Sequence, residues 1–169
     1  MDIIVNDTNI FIDLHSIGLL DCFCELPYEI RTVDFVMAEI SNPLQHMDIE
    51  RLVTAGKIRV ESFTAEELIE IVDEHSAVSG NLSIPDCSVC YYARKHGVTL
   101  LTGDRQLRKY AEAGRLTVKG ILFVFDELVS HLVITPAVAA EKLRELYTIN
   151  VRLPKSEIQR RIELWDNAE

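Results

Sequence analysis

The apolar residues of this chain change their spacing repeatedly, from short runs to stretches with a repeat of three to four residues. Short runs are typical of β-strands, and the longer repeat is typical of amphipathic α-helices. Strands that alternate with helices favour βαβ units and a mainly parallel sheet. The predicted strands are residues 3–5, 30–36, 57–63, 98–102 and 121–125. A chain of 169 residues without a Gly/Ser-rich linker is expected to form one domain.

Several of the predicted helices carry recognisable start and stop signals. Thr64 and Glu67 have the spacing of a capping box, which favours a helix start. Ser83 and Pro85 favour a second start, and Gly97 favours the end of that helix. The predicted helices are residues 8–25, a helix that begins within 37–40, helices that begin at 64 and 83, and residues 105–113, 135–147 and 156–165.

Charge and composition narrow the classes of protein to consider. The formal net charge is −10, which counts against a broad basic surface for nucleic acid. It does not exclude a nuclease, because acidic metal ligands add to the negative count and bound cations offset part of it. The segment MDIIVNDTN has no basic n-region, and no apolar run approaches the ~20 residues of a membrane helix. We therefore expect a cytoplasmic protein with reduced cysteines and no membrane contact.

Four acidic residues fall where a parallel sheet would bring them together. Asp7 follows the first predicted strand, and Asp104 follows the strand at 98–102. Glu39 is expected on the first turn of the helix after the second strand, and Asp86 at the start of the helix that leads to 98–102. Ligands of such sheets bind at the carboxyl ends of the strands. At an effective dielectric near 20, two carboxylates ~4 Å apart repel by roughly 4 kcal/mol, and Mg²⁺ or Mn²⁺ would relieve this repulsion.

Each of these acids also has a purely structural interpretation. Asp7 could cap the first helix, and Asp104 could cap a helix or form a turn. Asp86 completes a Ser83-x-x-Asp86 capping pattern. Glu39 could be a solvated helix residue. The metal-site hypothesis therefore depends on the four acids as a set.

The chain resembles the PIN-domain family in four successive segments. They are IIVNDTNIFIDL, VDFVMAEI, SIPDCSVCYYARKHGVTLLTGDRQLRKYA and VKGILFVFDELV, and they span roughly residues 2–130. The most specific match pairs Pro85-Asp86 with Leu101-Thr102-Gly103-Asp104-Arg105. This resemblance implies a three-layer α/β/α sandwich with a central, mainly parallel sheet. It also implies cleavage of RNA that depends on Mg²⁺ or Mn²⁺.

The resemblance carries over to individual residues by motif. Four acids match the family's metal-binding quartet, Thr102 matches a hydroxyl that orients the site, and Asn9 matches a small polar position beside the first acid. The candidate catalytic residues are therefore Asp7, Glu39, Asp86, Asp104, Thr102 and Asn9, and the four acids are the candidate metal ligands.

Partners and domain organisation also follow from the resemblance. Many PIN proteins are toxins of bacterial toxin–antitoxin pairs, which implies an RNA substrate and an antitoxin partner. This chain differs from compact toxins in its acidity and in a tail that is similar to the two-helix ending of one PIN subgroup. We predict a catalytic core of residues 1–130 and a helical extension of residues 131–169 packed on it.

Arg105, Arg108, Lys109 and Arg115 form a basic cluster just after Asp104. The cluster could be a solvated helix face or could contact the RNA backbone, and the sequence favours neither. Arg105, Arg108 and Lys109 are the candidate RNA contacts.

Other interpretations stay open. The last predicted helix places Ile158, Ile162 and Trp165 on one face, which favours core packing over contact with a second copy or an antitoxin. The four cysteines could bind zinc, although buried free thiols are the more frequent arrangement. The alternatives to a ribonuclease are a non-catalytic PIN-like module that binds a protein or RNA, and a metal-dependent phosphohydrolase on a small substrate.

Overall fold

Five strands form one sheet in this computed structural model, which describes residues 1–78 and 80–168. The strands are β1 (Asp2–Asn6), β2 (Tyr28–Val33), β3 (Ile58–Glu61), β4 (Thr99–Leu101) and β5 (Val118–Lys119). Their order across the sheet is β3-β2-β1-β4-β5, and every pairing is parallel. The predicted α/β fold with a parallel sheet is therefore confirmed.

Helices cover both faces of this sheet. They are α1 (Thr8–Ser16), α2 (Leu20–Phe23), α3 (Asp34–Glu39), α4 (Pro43–Thr54), α5 (Ala65–Ala77), α6 (Ile84–His96), α7 (Arg105–Ala113), α8 (Ile121–Ser130), α9 (Pro136–Ile149) and α10 (Lys155–Asp166). Tyr28 and Arg31 are three residues apart on β2, so they project from opposite faces. The Tyr28 hydroxyl donates to Glu127 of α8, and Arg31 donates to the Tyr92 hydroxyl of α6. The expected three-layer α/β/α sandwich is thus confirmed.

One predicted strand is wrong. Residues 121–125 form the first half of α8, and the last strand is the two-residue β5 just before it. The run Ile-Leu-Phe-Val-Phe is apolar throughout, and such a run does not distinguish a strand from a buried helix. The buried residues Ile121, Val124, Phe125 and Leu128 have the spacing of one helical face, which decides the conformation.

Other element boundaries also differ from the prediction. The second strand ends at Val33 instead of residue 36, because Asp34 begins α3 and accepts a hydrogen bond from the Phe35 N–H. Glu39 is therefore the last residue of α3, not on the first turn of a helix. Residues 8–25 form two helices, since Gly18 between them adopts a positive φ of 72°. Helix α4, which follows α3, begins at Pro43 with Asn42 as its cap and was not predicted.

The two C-terminal helices pack against the same hydrophobic core as the sheet. Ile158 and Trp165 of α10 are buried, and the Trp165 ring stacks on Phe125 of α8 with centroids 6.2 Å apart. Ile162 packs against this core from a partly exposed position. The division into a core of residues 1–130 and an extension of residues 131–169 stays a prediction. In the part of the chain that the structure covers, no helix is long and apolar enough to cross a membrane.

A buried carboxylate attaches the loop between α9 and α10 to the first helix. Asp13 of α1 is only 8% exposed, and the Asn150 side-chain amide donates to both of its oxygens at 3.3 and 3.4 Å. Desolvation raises the pKa of Asp13 from 3.8 to about 6, and the hydrogen bond from Asn150 partly offsets this increase. The ionised form of Asp13 is therefore destabilised in the folded protein.

This burial predicts a pH dependence of stability. Between pH 4 and 6 the folded chain binds more protons at Asp13 than the unfolded chain does, so the free energy of unfolding should fall as the pH rises through this range. Asp13→Asn removes this titration and should lose less stability than the wild type between pH 4 and 7. Urea unfolding at several pH values measures the difference. Asp73→Asn, at an exposed carboxylate, is the matched control. Parallel pH profiles for wild type and Asp13→Asn would contradict this account.

Candidate metal centre

Asp7 lies at the carboxyl end of the central strand, one residue after β1 ends. It occupies the N-cap position of α1, but its side chain makes no capping hydrogen bond. The carboxylate instead accepts a hydrogen bond of 2.8 Å from the Thr102 hydroxyl, and only 3% of the residue is exposed. The capping interpretation of Asp7 therefore does not describe its side chain.

The loops that follow β1 and β4 are joined by side-chain hydrogen bonds. Thr102, which follows β4, donates to Asp7 and accepts the Asp104 backbone N–H at 3.1 Å. The Asn9 side-chain oxygen Oδ1 accepts the Gly103 N–H at 2.8 Å, and the Asn9 side-chain nitrogen Nδ2 lies 3.5 Å from Asp7 Oδ2. Because Asn6 of β1 pairs with Leu101 of β4, the residues that follow both strands must lie next to each other. The structure thus brings Asp7, Asn9 and Thr102 together and holds the backbone of Asp104 beside them.

The electrostatic environment of Asp7 is unfavourable for an isolated carboxylate. Its pKa rises from 3.8 to about 6, mainly through desolvation. The Thr102 hydroxyl and the Thr8 N–H lower the pKa, whereas the negative charges of Asp86 and Glu39 raise it. Asp86 and Glu39 therefore lie close enough to influence the ionisation of Asp7.

The other three candidate acids each accept a hydrogen bond. Asp104 caps α7 through Oδ1, which accepts the Leu107 N–H at 2.8 Å. Asp86 and Ser83 form the expected capping box of α6, in which Asp86 Oδ2 accepts the Ser83 N–H at 3.0 Å. Glu39 is exposed and accepts a 2.7 Å hydrogen bond from the Thr8 hydroxyl. Among the described residues, these hydrogen bonds use one carboxylate oxygen of each acid.

The donor chemistry of these residues fits a hard divalent cation. Carboxylate and hydroxyl oxygens are ligands that Mg²⁺ and Mn²⁺ prefer, and a buried acid with a raised pKa gains from a nearby positive charge. Within residues 1–78 and 80–168, no group of three or more His, Cys, Asp or Glu side chains is positioned to hold a metal ion directly. Mg²⁺ is commonly held by one or two carboxylates, and waters complete its coordination. Direct contact with Asp7 and water-mediated contact with the other acids would meet this requirement.

The basic candidates are arranged differently from one another. Arg105 and Lys109 are exposed on α7. Arg108 is partly buried, lies 3.3 Å from Glu112, and donates to the Val118 carbonyl at 3.4 Å. Part of its charge is therefore already balanced by the protein.

Cys87 and Cys90 are buried free thiols, and burial raises the pKa of Cys90 to about 12. Among the residues that the structure describes, they belong to no group of three or more potential metal ligands, so they are described as buried free thiols.

Sequence reasoning missed two polar residues at the site. The Thr8 hydroxyl binds Glu39, as described above. Asn6 at the end of β1 is fully buried, and its side-chain oxygen has no hydrogen-bond partner among the described residues. A polar residue that ends an apolar strand is the signal that could have found Asn6, since a buried side-chain oxygen without a hydrogen bond is costly and needs an explanation.

Comparison with solved structures shows the same fold in a known toxin. VapC20 of Mycobacterium tuberculosis, which cleaves the sarcin–ricin loop, is 16% identical and has a TM-score of 0.54. The match covers 63% of this chain and 94% of VapC20. At this identity the similarity shows the fold alone.

Two further structures are less similar. They are a Pyrobaculum aerophilum protein, PAE2754 (15% identity, TM-score 0.49, 76% of this chain and 98% of that one), and VapBC2 of Rickettsia felis bound to promoter DNA (18% identity, TM-score 0.44, 70% and 98%). Their TM-scores are below 0.5, so no conclusion is drawn from them.

The sequence has no match among curated proteins. A family model for the PIN domain, in contrast, matches residues 3–167, which is nearly the whole chain. The order of the motifs, the parallel sheet and the polar residues at its carboxyl edge all agree with this match. The chain therefore belongs to the PIN-domain family.

Proposed function

We propose that the protein is an endoribonuclease that hydrolyses RNA phosphodiesters with the help of Mg²⁺ or Mn²⁺. The observation that carries this proposal is the buried Asp7 carboxylate at the carboxyl edge of the sheet, bound by Thr102 and influenced by Asp86 and Glu39. Membership of the PIN family supports the reaction class.

The residues of the site would have separate roles. Asp7, Glu39, Asp86 and Asp104 would hold the ion, directly or through water. A bound divalent ion would supply activation of water and stabilisation of charge on the phosphodiester. Thr102 fixes the orientation of the Asp7 carboxylate, and Asn9 holds Gly103 so that the β4–α7 loop keeps Asp104 in place. With a pKa of about 6, Asp7 is mostly ionised at neutral pH and can act as a ligand.

The proposal also includes a biological role. The shared fold with the VapC20 toxin supports a toxin role. We also propose an antitoxin partner, contact between two copies of the chain and a cytoplasmic location. The net charge of −10 suits a partner that presents a basic segment.

A second candidate function is a non-catalytic PIN-like module. It is favoured by the capping roles of Asp86 and Asp104, which are sufficient by themselves to explain an acid at each position. Metal binding and RNA cleavage together distinguish this module from the nuclease.

Loss of a metal ligand should abolish cleavage. With Mn²⁺ present, Asp7→Asn and Asp104→Asn should lower the rate of cleavage of a labelled RNA by about 100-fold or more, because the amide lacks the charge that attracts the ion. Asp73→Asn, which removes an exposed charge on α5, should cleave like the wild type. If Asp7→Asn or Asp104→Asn cleaved RNA at the wild-type rate, the proposed mechanism would be wrong. Cleavage of phosphate esters but not RNA would favour the small-substrate phosphohydrolase.

Metal binding can be measured without a substrate. Calorimetric titration of the wild-type chain with Mn²⁺ should show saturable binding, and Asp7→Asn should weaken it by about tenfold or more, whereas Asp73→Asn should leave it unchanged. Absence of any heat at millimolar Mn²⁺ would support the non-catalytic module instead.

The Thr102 hydroxyl should stabilise the ionised form of Asp7. Thr102→Val keeps the side-chain shape but removes the donor, so the pKa of Asp7 should rise above about 6. At pH 8, where Asp7 is charged, the free energy of unfolding should fall by about 1–3 kcal/mol, and the loss should be smaller at pH 5, where Asp7 is protonated. Thr102→Ser keeps the hydroxyl and serves as the control. Equal stability of the two variants at pH 8 would refute this role, and urea unfolding at the two pH values provides the measurement.

A further inference from the structure

A cleft lies beside the candidate metal centre, between α7 and the loop that joins α9 to α10. It consists of two adjoining parts of about 420 and 380 Å³, and Gly103, Arg105 and Arg152 line both of them. Asp104 lines the first part and Thr102 the second. These two parts together are named the arginine cleft, and they reach the residues that follow β4 directly.

Arg105 and Arg152, which line both parts of this cleft, are exceptional because, among the described residues, neither forms an ion pair with an acidic side chain. Acidic residues outnumber Lys and Arg by 27 to 17, and most arginines form an ion pair. The paired arginines are Arg31, Arg51, Arg59, Arg94, Arg108, Arg144, Arg160 and Arg161. Among the residues that the structure describes, Arg105, Arg115 and Arg152 form none, and two of these three line the same cleft.

The fold itself places Arg152 there. Asp13 of α1 holds Asn150, and the Asn150 side-chain oxygen accepts the Arg152 N–H at 3.3 Å. Leu153 and Pro154 then continue along the wall of the cleft before α10 begins. The C-terminal helices therefore bring a positive charge to the edge of the sheet that carries the acids.

The second part of the cleft also contains a third arginine, Arg108, which is paired with Glu112. Arg108 lies beside Gly120, and a Cβ atom at position 120 would lie 3.2 Å from Arg108 Nη2. Gly120 therefore leaves room for the guanidinium. Ile121 and Leu122 add apolar surface to the same part of the cleft. A site with unpaired arginines and apolar surface suits a phosphate attached to a sugar or base, because Arg matches the geometry of phosphate oxygens.

We propose that the arginine cleft binds a backbone phosphate of single-stranded RNA, next to the phosphodiester that is cut at the metal centre, and that Arg105 and Arg152 hold this phosphate. The proposal rests on the proposed ribonuclease function. It gives the C-terminal helices a part in substrate binding. It also explains how a chain with a net charge of −10 binds a polyanion, since a local pair of free arginines replaces a broad basic surface.

Measurement of RNA binding under conditions that prevent cleavage tests the proposed role of the arginine cleft directly. A fluorescent, 2′-O-methylated single-stranded oligoribonucleotide is titrated with the full chain in EDTA, and anisotropy gives the Kd at several salt concentrations. Arg105→Gln and Arg152→Gln should each raise the Kd at low salt by about tenfold, because each loses a charge-assisted contact. Each should also reduce the slope of log Kd against log salt by about 0.7. Arg115→Gln removes the same charge from an unpaired arginine outside the cleft and should change neither value.

Several outcomes would overturn the proposal. They are no binding by the wild type, equal losses in all three variants, no loss in Arg105→Gln and Arg152→Gln, or displacement of the oligonucleotide by inorganic phosphate at equal concentration. The last result would indicate a site for free phosphate instead of an RNA strand. The failure of the proposed nuclease function can be distinguished from the failure of the cleft proposal. Binding that depends on Arg105 and Arg152 without any cleavage would refute the nuclease only, and cleavage with unchanged KM in both variants would refute the cleft only.

Discussion

The parallel pairing of β1 with β4 is the contact on which the arrangement of the site depends. These two strands are far apart in sequence, yet Asn6 lies opposite Leu101 in the centre of the sheet. Both strands end at the same edge of the sheet, so the Thr102 hydroxyl lies 2.8 Å from the Asp7 carboxylate. Asn9 and Asp104 follow them into the same small region. A shift of this register by one residue would turn the polar ends of the strands away from each other.

Burial of Asp7 has an energetic consequence that the rest of the site compensates only in part. Its carboxylate loses solvent and has other acids near it, which together make the charged form unfavourable. One hydroxyl and one backbone N–H offset some of this penalty. A divalent cation would supply the missing positive charge without any further change in the fold. The unpaired Arg105 and Arg152 lie beside the same edge, so an anionic strand would meet acids with a cation on one side and free guanidinium groups on the other.

Sequence reasoning located those parts of the fold whose signals are local. Capping motifs identified the starts of α5 and α6, and the strand ends placed Asp7 and Asp104 at the edge of the sheet. It was wrong for residues 121–125, where an apolar run is compatible with either strand or helix. It also misplaced Glu39 within its helix, because the apolar Phe35 and Val36 extended the predicted strand into the first turn of α3. Arg152 was not foreseen at all. It lies in a loop 48 residues after Asp104, and only its tertiary connection through Asn150 to Asp13 brings it to the site.

The central claim is that the acids at the carboxyl edge of the sheet form a metal site. A crystal structure of the wild-type chain grown with Mn²⁺, with anomalous diffraction to locate the ion, tests it most directly. We expect an anomalous peak about 2 Å from an Asp7 carboxylate oxygen, with Glu39, Asp86 and Asp104 in contact with the ion or its waters. A structure at millimolar Mn²⁺ with no peak at Asp7, or with the ion held only elsewhere on the surface, would contradict the claim.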